Sequence, residues 1–378
     1  MPFVSNPFLY GCIVESGQYC PRPRLEKRLT SFIRNGQNVA ILGPRRVGKS
    51  SLIHHAAAGI KGTTLLYADL WGVNTLNDFI RRCVQALDSI EDKASLFQKV
   101  ARALPGLTMS MSVDPVTGAP SLTPTLEARK KPAPETVTQI AHLWASLDDG
   151  KHNTVIALDE FQDLADMEDA EQVLGLLRRE IQLLGKIPFI FCGSIRNDMW
   201  QIFGDDRGPF YKSAAILEVS ATDFQDWLGF LREKFESSNL KISNEVLSEI
   251  IQLADGNPGD TQQLCASVWE EARGSSKVIT SSHVREALLQ VFADEKKGYE
   301  HLVSDISGQQ LAVLRAIALL GGESIQSGEF LATSGITHAS SSKAAATRLV
   351  NRRILQETPE GLKFSNPFFR SWLLHVRY

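Results

Sequence analysis

The chain has 378 residues, 43% hydrophobic and 22% charged, which suits a folded globular protein of two or three domains rather than one core. A net charge of −3 supplies no global field for nucleic acid or anionic membrane, so any such contact must be local. The five cysteines (Cys12, Cys20, Cys83, Cys192, Cys265) are scattered without a C-x-x-C, no signal-peptide pattern opens the chain, and no apolar run nears the roughly 20 residues of a bilayer span, which together point to a reducing, cytoplasmic setting without zinc.

Residues 1–37 hold Asn6-Pro7-Phe8 and then Pro21-Arg22-Pro23-Arg24, which fixes an extended segment before a helix expected from Leu25 to Ile33. That segment either lines a base-binding pocket or is a stiff lead-in. Next come a short apolar strand (Val39 to Leu42), a tight loop (Gly43 to Lys49) and a helix from Ser50. The loop fits G-x-x-x-x-G-K-[ST] at Gly43, Gly48, Lys49 and Ser50, the spacing that cradles nucleotide phosphates. Glycines let successive N–H groups turn inward on an anion, and the helix behind adds unpaired N–H groups and a positive dipole end. Lys49 supplies a point charge for the β- and γ-phosphates, and the Ser50 hydroxyl can ligate Mg²⁺. Pro44, Arg45, Arg46 and Val47 between the glycines, with Ser51 behind them, complete the expected nucleotide-binding set.

Thr63 to Leu70 reads as a buried strand whose Asp69 is a turn or capping residue in preference to a metal ligand, and Asn77 to Leu87 as an amphipathic helix. Alternation over Leu107 to Val113, followed by Ser121 to Glu127, predicts a hairpin inserted near 107–127 and closed by a loop containing Gly118. It serves either partner contact or decoration. A helix through Val137, Ile140, Ala141, Trp144 and Leu147 leads to a strand from Thr154 to Asp159-Glu160. Downstream of a phosphate loop, this is the expected acidic strand. Asp159 would hold Mg²⁺ through water, and Glu160 would orient and polarise an attacking water. A further strand, Ile187 to Cys192, ends in Gly193-Ser194-Ile195-Arg196. Lying between the loop strand and the acidic strand, it would set Ser194 and Arg196 beside the γ-phosphate. The other reading of Arg196 is a surface arginine at a helix start. Arg207 is the second candidate for a charge-neutralising arginine. Ala215 to Val219 completes the sheet.

From Ala221 the pattern is helical: Asp223 to Phe235, Asn244 to Ala254, Pro258 to Ala272 and Ser282 to Phe292. Three more helices (Gln309 to Leu320, near Ser327 to Ser334, Ser340 to Asn351) and a hairpin over Ile354 to Phe364 make a winged-helix pattern. Residues 340–378 carry seven basic side chains (Lys343, Arg348, Arg352, Arg353, Lys363, Arg370, Arg377) against Glu357 and Glu360, a local +5.

Taken together, NPF, LGPRRVGKSSLI, IALDEFQD, FCGSIRNDMW with GPFYKSA, GNPGDTQQL and FSNPFFRSWL resemble the archaeal-type ATPase family, a STAND-class, AAA+-like group of P-loop NTPases. The resemblance spans nearly the whole chain. It implies an α/β parallel-sheet core of the ASCE type over residues 1–220, a helical lid over 221–300 and a winged-helix domain over 301–378. It further implies ATP and Mg²⁺ as cofactors, a Gly256-Asn257-Pro258 turn closing near the adenine with Pro258 in contact, and Ser194 facing the γ-phosphate. Two departures stand out. The family commonly has Gly-Arg-Glu where this chain has Pro21-Arg22-Pro23-Arg24, so no base contact is carried over there. Its usual loop threonine is Ser50 here, which keeps the hydroxyl.

Two functions compete. One is an ATP-hydrolysing switch whose nucleotide state repositions the lid and winged helix, with Lys49, Glu160, Arg196 and Arg207 as the catalytic candidates. The other is a DNA-binding module in which ATP only locks a conformation, with the helix from Ser340 to Asn351 in the major groove. A protein partner for the winged helix is the counterpart to duplex DNA. Arg196 or Arg207 would act on its own site or on a neighbour's in a homo-oligomer. A GTPase is disfavoured: no Asn-Lys-x-Asp occurs, and the acidic strand ends in DEFQ rather than D-x-x-G.

Overall fold

Val39, Ala40, Ile41 and Leu42 are all buried, as a central strand covered on both faces must be. The computed structural model describes residues 5–14, 16–90, 93–104, 107–113, 120–126, 133–148, 153–193, 197–274, 277–358 and 360–375. In chain order the first part holds α1 (Pro23–Arg34), β1 (Val39–Leu42), α2 (Lys49–Ala58), β2 (Thr63–Asp69), α3 (Leu76–Gln85), α4 (Lys93–Ala103), β3 (Leu107–Val113), β4 (Pro120–Leu126), α5 (Thr136–Ala145), β5 (Asn153–Asp159), α6 (Ala170–Leu183), β6 (Phe189–Gly193), α7 (Asn197–Phe203) and β7 (Ala215–Glu218). The second holds α8 (Phe224–Ser237), α9 (Asn244–Leu253), α10 (Pro258–Ala272), α11 (Ser281–Ser304), α12 (Gly308–Leu320), α13 (Gly328–Ser334), α14 (Ala339–Asn351), β8 (Leu355–Thr358), β9 (Gly361–Phe364) and α15 (Pro367–His375).

Two compact units result: Arg22–Gly43 with Lys49–Ser220, and Met1–Pro21 and Pro44–Gly48 with Ala221–Tyr378. The first is built on a five-stranded sheet in the order β2-β5-β6-β1-β7, parallel throughout. β6 therefore runs between the loop strand β1 and the acidic strand β5, as expected from the sequence. Phe161, Phe191, Phe203 and Phe210 meet with ring centroids 4.8 to 5.6 Å apart, which anchors the chain just after Glu160. The expected hairpin is present as antiparallel β3 and β4, in register from Leu107 opposite Leu126 to Val113 opposite Pro120; its closing loop with Gly118 lies outside the described residues. Arg22 is buried and donates through its guanidinium to the Ser220 carbonyl, so Pro21-Arg22-Pro23-Arg24 ties α1 to the end of β7.

The second unit has one continuous core drawn from α8 to α15. Phe8 packs on Phe235 at 4.6 Å, and Asn6 donates to the Ala266 carbonyl at 3.1 Å, so the Asn-Pro-Phe motif clamps helices together. Pro258 opens α10 where a missing N–H costs nothing, and Ser307 with Gln310 forms a capping box on α12. The helix expected over Ser282 to Phe292 continues to Ser304. Its added turns carry one buried aromatic, Tyr299, which meets Phe369 at 5.3 Å and Trp372 at 5.4 Å; charged neighbours hide this from a periodicity reading. In α14, Ser342, Ala345, Ala346 and Leu349 form the buried stripe, leaving Lys343, Thr347 and Arg348 exposed.

Candidate phosphate-binding site

Glycine at 43 is enforced by packing: a Cβ there would lie 2.2 Å from the Val219 carbonyl oxygen, a backbone atom that cannot yield. Two further loop positions are left-handed, Arg46 at φ +66° and Gly48 at φ +80°. The second suits glycine; the first strains an arginine. Lys49 opens α2, is buried, and donates from Nζ to the Gly43 carbonyl at 2.9 Å, which holds its charge inside the loop. Val47 is buried, and the Arg45 Nε is buried without a hydrogen-bond partner among the described residues. Ser51 faces inward behind Ser50.

The Ser50 hydroxyl donates to Asp159 Oδ2 at 2.6 Å. Tyr67, from β2, donates its phenol to the same oxygen, while the Glu160 amide donates to Oδ1 at 2.9 Å. Burial pushes the Asp159 carboxyl up, but hydrogen bonds from Cys192, Ser50, Tyr67 and the Glu160 amide outweigh it, leaving the group below the usual carboxylate range. Asp159 is therefore ionised and doubly fixed. The Tyr67 phenol moves far the other way, through burial first and the Asp159 charge second. Its ring lies 4.8 Å from His54 of α2, whose own pKa is lowered by burial against the opposing pull of Asp159.

Glu160 is left-handed, at φ 50° and ψ 42°, a conformation that a glutamate adopts only where surroundings impose it. Its carboxylate accepts from Gln162 Nε2, which also donates to Asp163 at 3.0 Å. Gln162 is buried, and its Oε1 lies 2.3 Å from where a Cβ on Gly193 would be, so a larger residue at the end of β6 would displace it. Asp69 accepts from the Trp71 amide at 3.0 Å, the turn role expected of it.

The donor set fits Mg²⁺: an ionised carboxylate and a hydroxyl converge on one point beside a glycine cradle, hard oxygen ligands for a hard cation. Among the described residues no three His, Cys, Asp or Glu side chains converge on a metal. Ser194 and Arg196 lie outside the described residues. Arg207 is 90% exposed and pairs with Asp205 at 3.5 Å and Asp206 at 3.9 Å. Pro258 Cγ, in the first turn of α10, lies 3.6 Å from where a Cβ on Gly48 would be. Arg46 points to the same turn, pairing with Asp260. Sequence reasoning missed Tyr67, Gln162 and Asp260. For Tyr67 the signal was present, since a phenol in a buried strand needs a partner and its strand pairs with the acidic one.

Residues 26–264 match the family described as "ATPase domain predominantly from Archaea", and residues 297–375 match "Probable winged helix domain". No curated protein is matched by this sequence. Among solved structures, the Walker-type ATPase PABY2304 of Pyrococcus abyssi is similar at 21% identity and TM-score 0.64, covering 96% of this chain and 97% of that one. The ORC2 protein of Aeropyrum pernix, in ADPNP and ADP complexes, is similar at 14% identity and TM-score 0.54 over 94% and 93%. The Aeropyrum pernix ORC1 protein in complex with DNA is similar at 14% identity and TM-score 0.51 over 94% of each chain. These likenesses agree with the fold, a P-loop sheet followed by helices and a winged helix. The loop geometry and the family match over 26–264 together place the chain in the family of ATPase domains found predominantly in Archaea, with a winged helix domain after it.

Proposed function

We propose that this ATPase is a conformational switch in which ATP and Mg²⁺ occupy the Gly43 to Ser50 loop and the helical and winged-helix unit is the output. One observation carries the reading: the Ser50 hydroxyl meets the ionised Asp159 carboxylate at 2.6 Å beside a loop in which the Lys49 ammonium is held on the Gly43 carbonyl at 2.9 Å, the arrangement a metal-bound triphosphate needs. Within this reading we divide the chain into a core over 1–220, a lid over 221–300 and a winged helix over 301–378. The five cysteines, none of them in a disulfide, suit a cytoplasmic setting.

In this mechanism Ser50 and Asp159 would hold Mg²⁺, which when bound would neutralise developing phosphate charge. Lys49 turns its ammonium from the Gly43 carbonyl to the β- and γ-phosphates. Glu160 accepts the proton of the attacking water, and Gln162 fixes the carboxylate by donating to it. Asp159 is fixed by Ser50 and Tyr67 while Glu160 is fixed by Gln162, so in this mechanism one acid binds and its neighbour reacts.

A second reading, DNA binding with ATP as a lock, is favoured by the exposed Lys343, Thr347 and Arg348 face of α14. Arg352 and Lys363 are engaged with Asp305 and Glu360, which leaves fewer cations for phosphates. With about three contacts the log–log salt slope would be near −2.7. ATP turnover with Mg²⁺, with and without duplex DNA, tests both. Lys49→Ala should lower affinity by roughly 10- to 150-fold, and Glu160→Gln should keep binding while cutting turnover about 10²- to 10⁴-fold. Normal turnover in Glu160→Gln would refute the switch chemistry; binding that ignores salt would refute the DNA reading.

A further inference from the structure

Asp260 is a wholly buried carboxylate in the first turn of α10, and Arg46 Nη1 lies 2.8 Å from it. The contact is a tight charge pair rather than a well-aligned hydrogen bond. Arg46 is held at two further points. Its Nη2 donates to Gln263 Oε1 at 3.1 Å, one turn along α10, and its carbonyl accepts from the Gly259 amide at 3.4 Å. Its backbone is left-handed, a strained conformation that an arginine keeps only where its surroundings impose it.

A buried charge of this kind is a poor stabilising device. Desolvation pushes the Asp260 carboxyl up to about 6 despite Arg46, and Asp255 before α10 and Glu295 on α11 add to the push. An apolar residue would pack there at lower cost. The charge is useful only for what it holds, and it holds the phosphate loop.

We propose that Asp260 is a positioning residue for nucleotide binding, acting through Arg46 to brace the phosphate loop in its left-handed, anion-ready conformation. The role deepens the ATP-switch reading and rests on it. It assigns the two loop arginines different tasks, because a guanidinium committed to Asp260 and Gln263 is turned to the helical unit and not to phosphate. It also makes α10 the element through which the helical unit senses whether the loop is ordered.

The test is a double-mutant cycle in Mg²⁺–ATP affinity on the full chain: wild type, Arg46→Gln, Asp260→Asn and the double variant, with Lys49→Ala alongside. Each single change should weaken ATP by about tenfold, and the double variant should be no weaker than the worse single one. Asp260→Asn should do so without lowering the thermal midpoint, an outcome that a merely structural role would not give. Amide exchange over 44–48 in the nucleotide-free protein should rise in Asp260→Asn and not in Lys49→Ala. Wild-type affinity in Asp260→Asn, or effects that multiply, would overturn the brace while leaving the ATP reading intact. A wild type that binds ATP no better than Lys49→Ala would overturn the ATP reading itself, and unchanged exchange would then overturn the brace independently.

Discussion

Replacing Asp260 with asparagine should make the protein more stable at neutral pH, and the size of the gain follows from the site. The carboxyl rises from 3.8 to about 6, some two units, and each unit is worth about 1.36 kcal/mol. Because the folded value lies above the unfolded one, the folded state binds the proton more tightly. The stabilisation from that proton is fully present below pH of about 4 and is lost as pH rises through about 6. Above that window the ionised group costs the fold at most about 3 kcal/mol relative to its neutral form. Asparagine keeps the shape and removes the charge. Arg46, its side chain 38% exposed, can return to water with little penalty. Allowing for the pairing lost, a gain of about 1–2 kcal/mol at pH 7.5 is expected, shrinking towards zero near pH 4. Trp269 lies on α10 itself and is buried, so its fluorescence during denaturation reports on this unit. The measured quantity is the stability difference between variant and wild type at pH 7.5 minus that at pH 4.5, which cancels carboxylates common to both. A variant less stable at pH 7.5, or a difference that ignores pH, would refute the reasoning.

Two other perturbations probe the sheet unit. Gly43→Ala places a methyl 2.2 Å from the Val219 carbonyl oxygen and should cost about 1–3 kcal/mol as well as nucleotide binding, read by thermal unfolding and ATP titration; a stable variant that binds ATP normally would show that β1 and β7 can separate there. Tyr67→Phe deletes one donor to Asp159 and should raise the Mg²⁺ concentration for half-maximal ATP binding by about tenfold or more, with metal-free binding unchanged. An unaltered Mg²⁺ requirement would demote Tyr67 to packing.

The parts of the fold that the sequence reveals are those written by burial on both faces of parallel strands. VAIL before the loop and VIAL before Asp159-Glu160 are unbroken apolar runs, and the phosphate loop announces itself by glycines that packing demands at Gly43 and backbone angle at Gly48. The place of β6 between β1 and β5 is the one expected for it, although no residue of β6 itself encodes that order. The side chains that tune the site are less legible. Tyr67 looks like one more apolar strand residue until β2 is paired with β5, which aligns Tyr67 with Ala157, two residues before Asp159. Gln162 reads as a surface residue of a turn, and only the Phe161 cluster turns it inward. Asp260 passes for an ordinary acid in a helix first turn, a position where acids are expected for dipole reasons alone. Its difference is burial opposite Arg46, a contact between residues 214 positions apart that no local pattern encodes.

That contact bears on how charge is supplied to a triphosphate. Phosphoryl transfer needs cations around the γ-phosphate beyond the loop lysine and the metal. GPRRVGKS offers two arginines, which the sequence presents as equivalent. Arg46 is engaged by Asp260 and Gln263, and a planar guanidinium with two of its nitrogens committed has little left to give a phosphate. Arg207 has its own pair of aspartates and stands almost wholly in solvent, where screening weakens whatever it contributes. Arg45 is different: its Nε is buried without a hydrogen-bond partner among the described residues, a state that costs free energy until an acceptor arrives. Of the loop's two arginines, then, Arg46 is the candidate for holding the loop's shape and Arg45 the candidate for meeting the nucleotide, a division of labour set by one buried aspartate two hundred residues downstream.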